Sequence, residues 1–420
     1  MGKALARYSV NKSQSKSQLN WLTNMKITDI QVHPVQAPGR TFVVVLVSTD
    51  AGINGVGEAG LQRRWRGIEG VVEHLRCWLV GQDPFRIEYL WQRMSRGGFY
   101  PADRLIGSTI SGIDIALWDI KGQALGVPVY ELLGGRCRDH VEVFSNPGNL
   151  DTSVQPEDEA LYRKLVQDAD PDATAEIARR QLQRGQKYFR IGPPTQRESF
   201  ESRRSVRQLL DQLRAVRQVA GDDVELMVDL HTRLTLDEAI WFCREAEPLG
   251  IFAVEDPIRS EHSHGYQQIR QRTGVPLAAG EQWANKWEFR EAIENKWIDY
   301  ARVDLCIAGG LTEGKKIAAM AETHYVKMLF HNPLGPICTA ASLHLDLACE
   351  NAGPQEVLFP PGDVLPDVFT CDFQMDGVRL TVPTSPGIGV KFNIEAARQY
   401  PAEMTEPPHF HRPDGSFTNY

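Results

Sequence analysis

The chain has 420 residues, 42% hydrophobic and 24% charged, more than one ordinary domain needs and typical of a folded globular protein. A formal net charge of −8 argues against nucleic acid as a partner, and no apolar run reaches the ~20 residues of a membrane-spanning helix. Seven scattered cysteines without a C-x-x-C pair support neither a disulfide framework nor a thiolate zinc site, and point to a reducing cytoplasm.

Residues 1–24 carry Lys3, Arg7, Lys12 and Lys16, no acid and no secretory apolar stretch, and read as a disordered tail. Lys26–Val35 and Thr41–Ser48 are strand-like, broken by Ala-Pro-Gly-Arg. From about residue 66 the pattern turns helical, and Ile106, Ile110, Ile113, Leu117 and Ile120 recur at spacings of three and four. Strands followed by helices predict an α+β unit over residues 25–135.

After Leu-Leu-Gly-Gly (132–135) strands and helices alternate. The expected strands are Val141–Asn146, Tyr188–Gly192, Glu225–His231, Ile251–Glu255, Leu277–Glu281, Tyr300–Leu305, Val326–Asn332 and Glu356–Phe359. Eight strands in that rhythm over residues 136–359 predict a (β/α) barrel; the rival doubly wound sheet lacks a Gly-x-Gly-x-x-Gly opening. Residues 360–420 return to strand and turn signals and are expected to fold back onto the N-terminal unit.

Asp229, Glu255 and Glu281 recur at 26-residue steps, each closing a short apolar run. In a parallel barrel such ends share one face, and three converging carboxylates suit a hard divalent cation, Mg²⁺ above all. The cadence continues through Asp304, His331 and Glu356. His331 is a candidate base oriented by Asp304. His231, two residues after Asp229, is expected to share its side of the strand and to act as an acid. Glu356, if held protonated, could bond a substrate carboxylate. His344, on an expected helix, reads as a core residue, and His409 and His411 in the Pro-rich tail as no metal site.

The motifs Gly-Ile-Asp-Ile-Ala-Leu-Trp-Asp-Ile-Lys-Gly (112–122), Val-Asp-Leu-His (228–231), Val-Glu-Asp-Pro (254–257), Ala-Gly-Glu (279–281) and His-Asn-Pro-Leu-Gly-Pro-Ile (331–337) resemble the enolase superfamily. Within it the likeness is to mandelate racemase-like acid-sugar dehydratases of the galactonate dehydratase kind. The resemblance implies a capping α+β domain over a (β/α)₇β barrel, one Mg²⁺ on Asp229, Glu255 and Glu281, and a homo-oligomer. It implies removal of the C2 proton of a sugar acid by His331, paired with Asp304, and expulsion of the 3-hydroxyl by His231. In the capping loop Glu58–Arg66 it makes Arg63, Trp65 and Arg66 candidate substrate contacts. The second strand carries Arg190, a candidate substrate contact, where racemases of this group often have Lys-x-Lys. Arginine is a poor base, which favours dehydration over epimerisation or racemisation; the intact carboxylate triad and both histidines count against the other alternative, a non-catalytic binding relative.

Overall fold

The structure, a computed structural model, describes residues 24–145, 156–192, 203–405, 411–412 and 414–417. Pro193-Pro194 and His409 lie outside these residues, as does all but the last residue of the N-terminal tail.

The capping unit opens with an antiparallel sheet of β1 (Ile27–Ala37), β2 (Arg40–Thr49) and β3 (Asn54–Ala59). Alternation along β2 sends Val43, Val45 and Val47 into one core and Phe42, Val44 and Leu46 into another, so the strand is buried on both faces. Helices α1 (Trp65–Leu79), α2 (Ile87–Arg96) and α3 (Arg104–Leu125) cover it. Asp103 caps α3 by accepting from Ile106 N, and Gly126 ends it at φ +71°. A Cβ at Gly57 would stand 1.8 Å from the Gly112 carbonyl oxygen, so only glycine lets β3 lie this close to α3. A short α4 (Val129–Leu132) leads into the barrel.

The barrel runs β4 (Val141–Phe144), α5 (Pro156–Arg163), α6 (Pro171–Gln183), β5 (Tyr188–Ile191), α7 (Arg204–Ala220), β6 (Glu225–Asp229), α8 (Leu236–Ala246), β7 (Ile251–Glu255), α9 (Gly265–Arg270) and β8 (Leu277–Ala279). It continues through α10 (Lys286–Glu294), β9 (Tyr300–Ala301), α11 (Gly310–Thr323), β10 (Lys327–Met328), α12 (Pro336–Ala348) and β11 (Gln355–Glu356). Strands β5 to β10 form one parallel sheet, each beside the next. β11 pairs parallel with β4, β4 packs on β5, and a Met328–Ala352 bridge links β10 to the approach to β11. This closes the ring in the (β/α)₇β order the sequence predicts. Phe144, Met227, Ala253, Ala278 and Leu329 fill its interior.

Several strands are shorter than expected. β8, β9 and β10 stop at Ala279, Ala301 and Met328, leaving Glu281, Asp304 and His331 in the loops beyond. The backbone groups there bond across neighbouring strand ends, His331 N to Val303 O for example, so position is kept without a regular ladder.

The C-terminal segment supplies β12 (Phe369–Cys371), β13 (Met375–Asp376), β14 (Arg379–Leu380), β15 (Val390–Phe392) and α13 (Ile394–Ala397). β14 adds antiparallel to β4, while Gln36 N bonds Tyr400 O and Val129 N bonds Gly387 O. The segment thereby ties barrel and cap together.

Candidate active site

Asp229 and Glu255 are the last residues of neighbouring strands and stand opposite each other in the β6–β7 register. Glu281 and Asp256 complete a nest: oxygens of Glu255, Asp256 and Glu281 lie within 4.8 Å of one another. Asp256 adopts φ +36°, a conformation an L-residue enters only under constraint. Its Oδ1 accepts from the Tyr266 hydroxyl at 3.2 Å, while its Oδ2 is buried without a hydrogen-bond partner. An orphaned buried carboxylate oxygen among other carboxylates fits a hard cation.

Two arginines lie beneath the nest. Arg302, with no exposed surface, donates Nε to Glu255 Oε1 at 2.6 Å and Nη2 to Glu356 Oε2 at 2.5 Å. Its Nη1 donates to the carbonyls of Leu329 and Phe330. Arg190 donates to Glu255 Oε2 at 3.0 Å and to Glu356, and its Nη1 stands 3.9 Å from Asp229. Burial, with Asp229 and Glu281 close by, still pushes Glu255 up to about 7 despite both arginines. Burial also works to raise Glu356, but Arg190 and Arg302 overcome it and hold the carboxyl well below its usual range. The nest crowds more carboxyl groups than its arginines offset, and Asp256, buried beside Glu281, Glu255 and Asp229, is raised as well.

His331 Nδ1 lies 2.9 Å from Asp304 Oδ2, and its Nε2 lies 3.4 Å from Glu281 Oε2. Burial opposes the imidazolium, yet Glu281, the Asp304 bond and Glu356 raise the ring to about 9. Asp304 Oδ1 accepts from Cys306 N at 2.7 Å, which fixes the carboxylate against the ring. Asp304 is not the N-cap of the following helix: Gly309 holds that position, and Asp114 of the cap bonds Thr312 instead. His231 lies beyond the end of β6 at φ +49°, with Thr232 at φ +58°. The expected strand alternation therefore does not orient it. Asp229 Oδ1 accepts from His231 N at 2.9 Å, and the imidazole lies near enough to Glu281 to help lower its carboxyl against the effect of burial.

Three expectations are corrected. Glu356 is ionised, not protonated, because two guanidinium groups and Asn332 N bond it. Arg190 is turned into the barrel with 4% of its surface exposed, donating to Glu255 and Glu356 from beneath the nest. Trp65 is a core residue of the cap, on the face of α1 shared by Ile68, Val72, Leu75 and Leu79. Arg66 stacks on the Trp65 ring at 4.6 Å, and Arg63 sits half-buried in the turn before α1. The loop does reach the barrel mouth, through Gly60 N to Cys306 O. His344 is buried as expected: Nδ1 accepts from Tyr130 N, and burial lowers the ring to about 4.

Sequence reasoning passed over Arg302 and Asp256. Arg302 falls two residues before Asp304 in the expected strand, so alternation offered a signal. Asp256 stands next to a candidate ligand in Val-Glu-Asp-Pro. A second cluster, Asp304 with Cys306 and Cys338, holds thiols that burial pushes far up, Cys338 to about 12, which disfavours thiolate ligation.

A barrel mouth with a carboxylate nest and a His–Asp pair beneath an α+β cap defines a class of lyases and isomerases working next to a carboxylate. The chain belongs to the mandelate racemase/muconate lactonizing enzyme family of the enolase superfamily: residues 23–134 match the mandelate racemase/muconate lactonizing enzyme N-terminal domain, and 173–397 the enolase C-terminal domain-like family. It is 36% identical over 405 residues to D-galactonate dehydratase of Variovorax paradoxus, covering 94% of this chain and 100% of the relative. It is 33% identical over 395 residues to D-galactonate dehydratase family member RspA of Halomonas elongata, covering 92% and 98%. A crystal structure of an enolase from Pantoea ananatis with bound D-gluconate and Mg superposes with a TM-score of 0.84 at 30% identity, covering 94% of this chain and all of that one.

Proposed function

We propose that the protein is a Mg²⁺-dependent dehydratase of a sugar acid of the galactonate or gluconate type. The observation that carries this reading is the His331–Asp304 pair, 2.9 Å apart, set 3.4 Å from Glu281 at the edge of the carboxylate nest. Asp229, Glu255 and Glu281 would hold the cation, with Asp256 beside them. A divalent cation bound there neutralises the nest and the charge that develops on the substrate carboxylate as C2 loses its proton. In its neutral form, which a cation on the nest would favour by offsetting Glu281, His331 Nε2 takes that proton, while Asp304 holds the ring in place and stabilises its charged form. His231 donates a proton to the 3-hydroxyl as the C3–O bond breaks, releasing water. Tautomerisation of the enol yields the 2-keto-3-deoxy acid. Arg190 and Arg302 keep Glu356 ionised and hold Glu255 in place.

Epimerisation needs a base on each face of C2. The second strand offers Arg190, which burial disfavours as a cation but which Glu356, Glu255 and Asp229 hold more firmly protonated than usual. This supports dehydration. The names of the relatives and the D-gluconate of the Pantoea ananatis structure support the substrate class. The same reading carries a homo-oligomer by family likeness and a reducing cytoplasm, the latter supported by seven free cysteines. Among the described residues no helix is long and apolar enough to cross a membrane.

The test is incubation of the protein and Mg²⁺ with a panel of aldonic and uronic acids, scoring 2-keto-3-deoxy product. His331→Asn abolishes both product and C2 hydrogen exchange. His231→Asn removes product formation and leaves exchange. No product from any acid with wild type refutes the substrate class.

A further inference from the structure

We propose that Glu58, a residue of the capping sheet, is a positioning residue for the base His331; the proposal rests on the reading just given. Helix α12 begins five residues after His331, and its N-cap Gly335 has no side chain with which to satisfy the first backbone donors. Glu58 supplies the missing acceptor from the other unit. Its Oε1 accepts from Gly335 N and its Oε2 from Cys338 N, each at 3.0 Å. The carboxyl is 1% exposed, and burial, opposed by these two bonds, lifts it to about 7.

The segment between base and helix is thus pinned at both ends. On the barrel side His331 N bonds Val303 O, and Asn332 bonds Glu356 and Thr339. On the cap side Gly335 N donates to Glu58. Space there is close: a Cβ on Gly335 would stand 3.0 Å from both Glu58 Oε1 and Phe42 Cγ. Two residues on, just past the end of β3, Gly60 N bonds Cys306 O at 2.8 Å, in the loop that carries Asp304. Residues 58–60 therefore grip both loops of the His331–Asp304 pair. Among the described residues the hydrogen bonds of the Glu58 carboxyl go to α12 and not to the nest. Its effect runs through the N-terminus of α12, where a carboxylate is favoured by the helix dipole.

The geometry makes seating of the cap and alignment of the base one event. Displacing a reacting group by about 1 Å costs on the order of 100-fold in rate, and four residues of loop transmit such a shift readily.

Glu58→Ala, Glu58→Gln and Gly335→Ala are compared with wild type on an acid that wild type dehydrates. The measurements are kcat, KM, C2 hydrogen–deuterium exchange, Mg²⁺ affinity by calorimetry and amide exchange over residues 331–339. In Glu58→Ala and Gly335→Ala, kcat and C2 exchange fall together by about 10- to 100-fold. KM and Mg²⁺ affinity stay near wild type, and amide protection is lost over 331–339. Glu58→Gln falls between, because its amide oxygen accepts one bond and its NH₂ faces the other donor.

A merely structural role lowers the melting temperature and leaves kcat and C2 exchange within about twofold of wild type; that result overturns the proposal. Should Glu58→Ala fail to fold, Gly335→Ala and Glu58→Gln decide the question alone. If wild type dehydrates no acid, the dehydratase reading fails. Amide protection then still decides the coupling, and unchanged protection in the variants refutes it.

Discussion

At the barrel mouth Glu255 and Glu356 face the guanidinium groups of Arg190 and Arg302, whereas at the seam between cap and barrel Glu58, Asp114 and Asp119 face mainly backbone N–H groups. All five are buried. At the seam desolvation wins: Glu58 and Asp114 rise to about 7 and Asp119 to about 6. At the mouth two full positive charges pull Glu356 far down, while Glu255, facing the same arginines, still rises because Asp229 and Glu281 crowd it. The difference teaches that oriented amides hold a buried carboxylate without making it strongly acidic. Only full charges do that, and the mouth is short of them. The shortfall marks a place for a cation.

The comparison breaks most visibly at Arg302. Arg302→Met removes the shared counter-charge of Glu255 and Glu356 and should destabilise the protein by about 3–5 kcal/mol, read by urea denaturation. A loss below about 1 kcal/mol would mean that the arginines do not sustain the mouth.

At the seam the expected signature is a pH slope. Asp119 bonds Val56 N and Ile388 N, and burial raises its folded pKa from the ordinary 3.8 to about 6. A raised folded pKa means that its contribution is full below about 4 and is lost as pH climbs through 6. The stability advantage of wild type over Asp119→Asn should therefore shrink by up to about 3 kcal/mol between pH 4 and 8. Parallel curves for the two proteins would contradict the account.

Asp256→Asn sharpens the charge argument, because it removes a carboxyl that a bound cation would draw into its charged form and keeps the shape. Mg²⁺ affinity by calorimetry should fall about 10- to 100-fold. Equal affinity would leave Asp256 outside the cation's surroundings. Smallest of all is the exposed Arg76–Asp29 pair, 2.6 Å apart on the cap surface. Arg76→Ala should shift stability by less than about 1 kcal/mol, since water competes for both charges.

The 26-residue cadence made Asp229, Glu255 and Glu281 legible because one strand, one helix and two loops repeat at nearly constant length. The same period led to Asp304 and His331, although both stand past the strands proper. Glu356 was found and its charge state misjudged, since that depends on Arg302, 54 residues away in sequence. Trp65 is a core residue and not the substrate contact its place in the capping loop suggests, and its helical spacing with Ile68 and Val72 already marks a core face. In sequence Glu58 is only the start of a loop. Its partners are 277 and 280 residues distant, and no local pattern announces them.

By itself the sequence determined the alternation of strand and helix, the barrel it implies and the residues whose chemistry meets at one rim. Periodicity is local, and barrel closure turns it into convergence. Only the tertiary structure decided which carboxylates are charged, which arginines hold them and how the cap grips the loop of the base. Those properties depend on burial and on partners brought within about 3 Å, where the Coulomb and desolvation energies are largest.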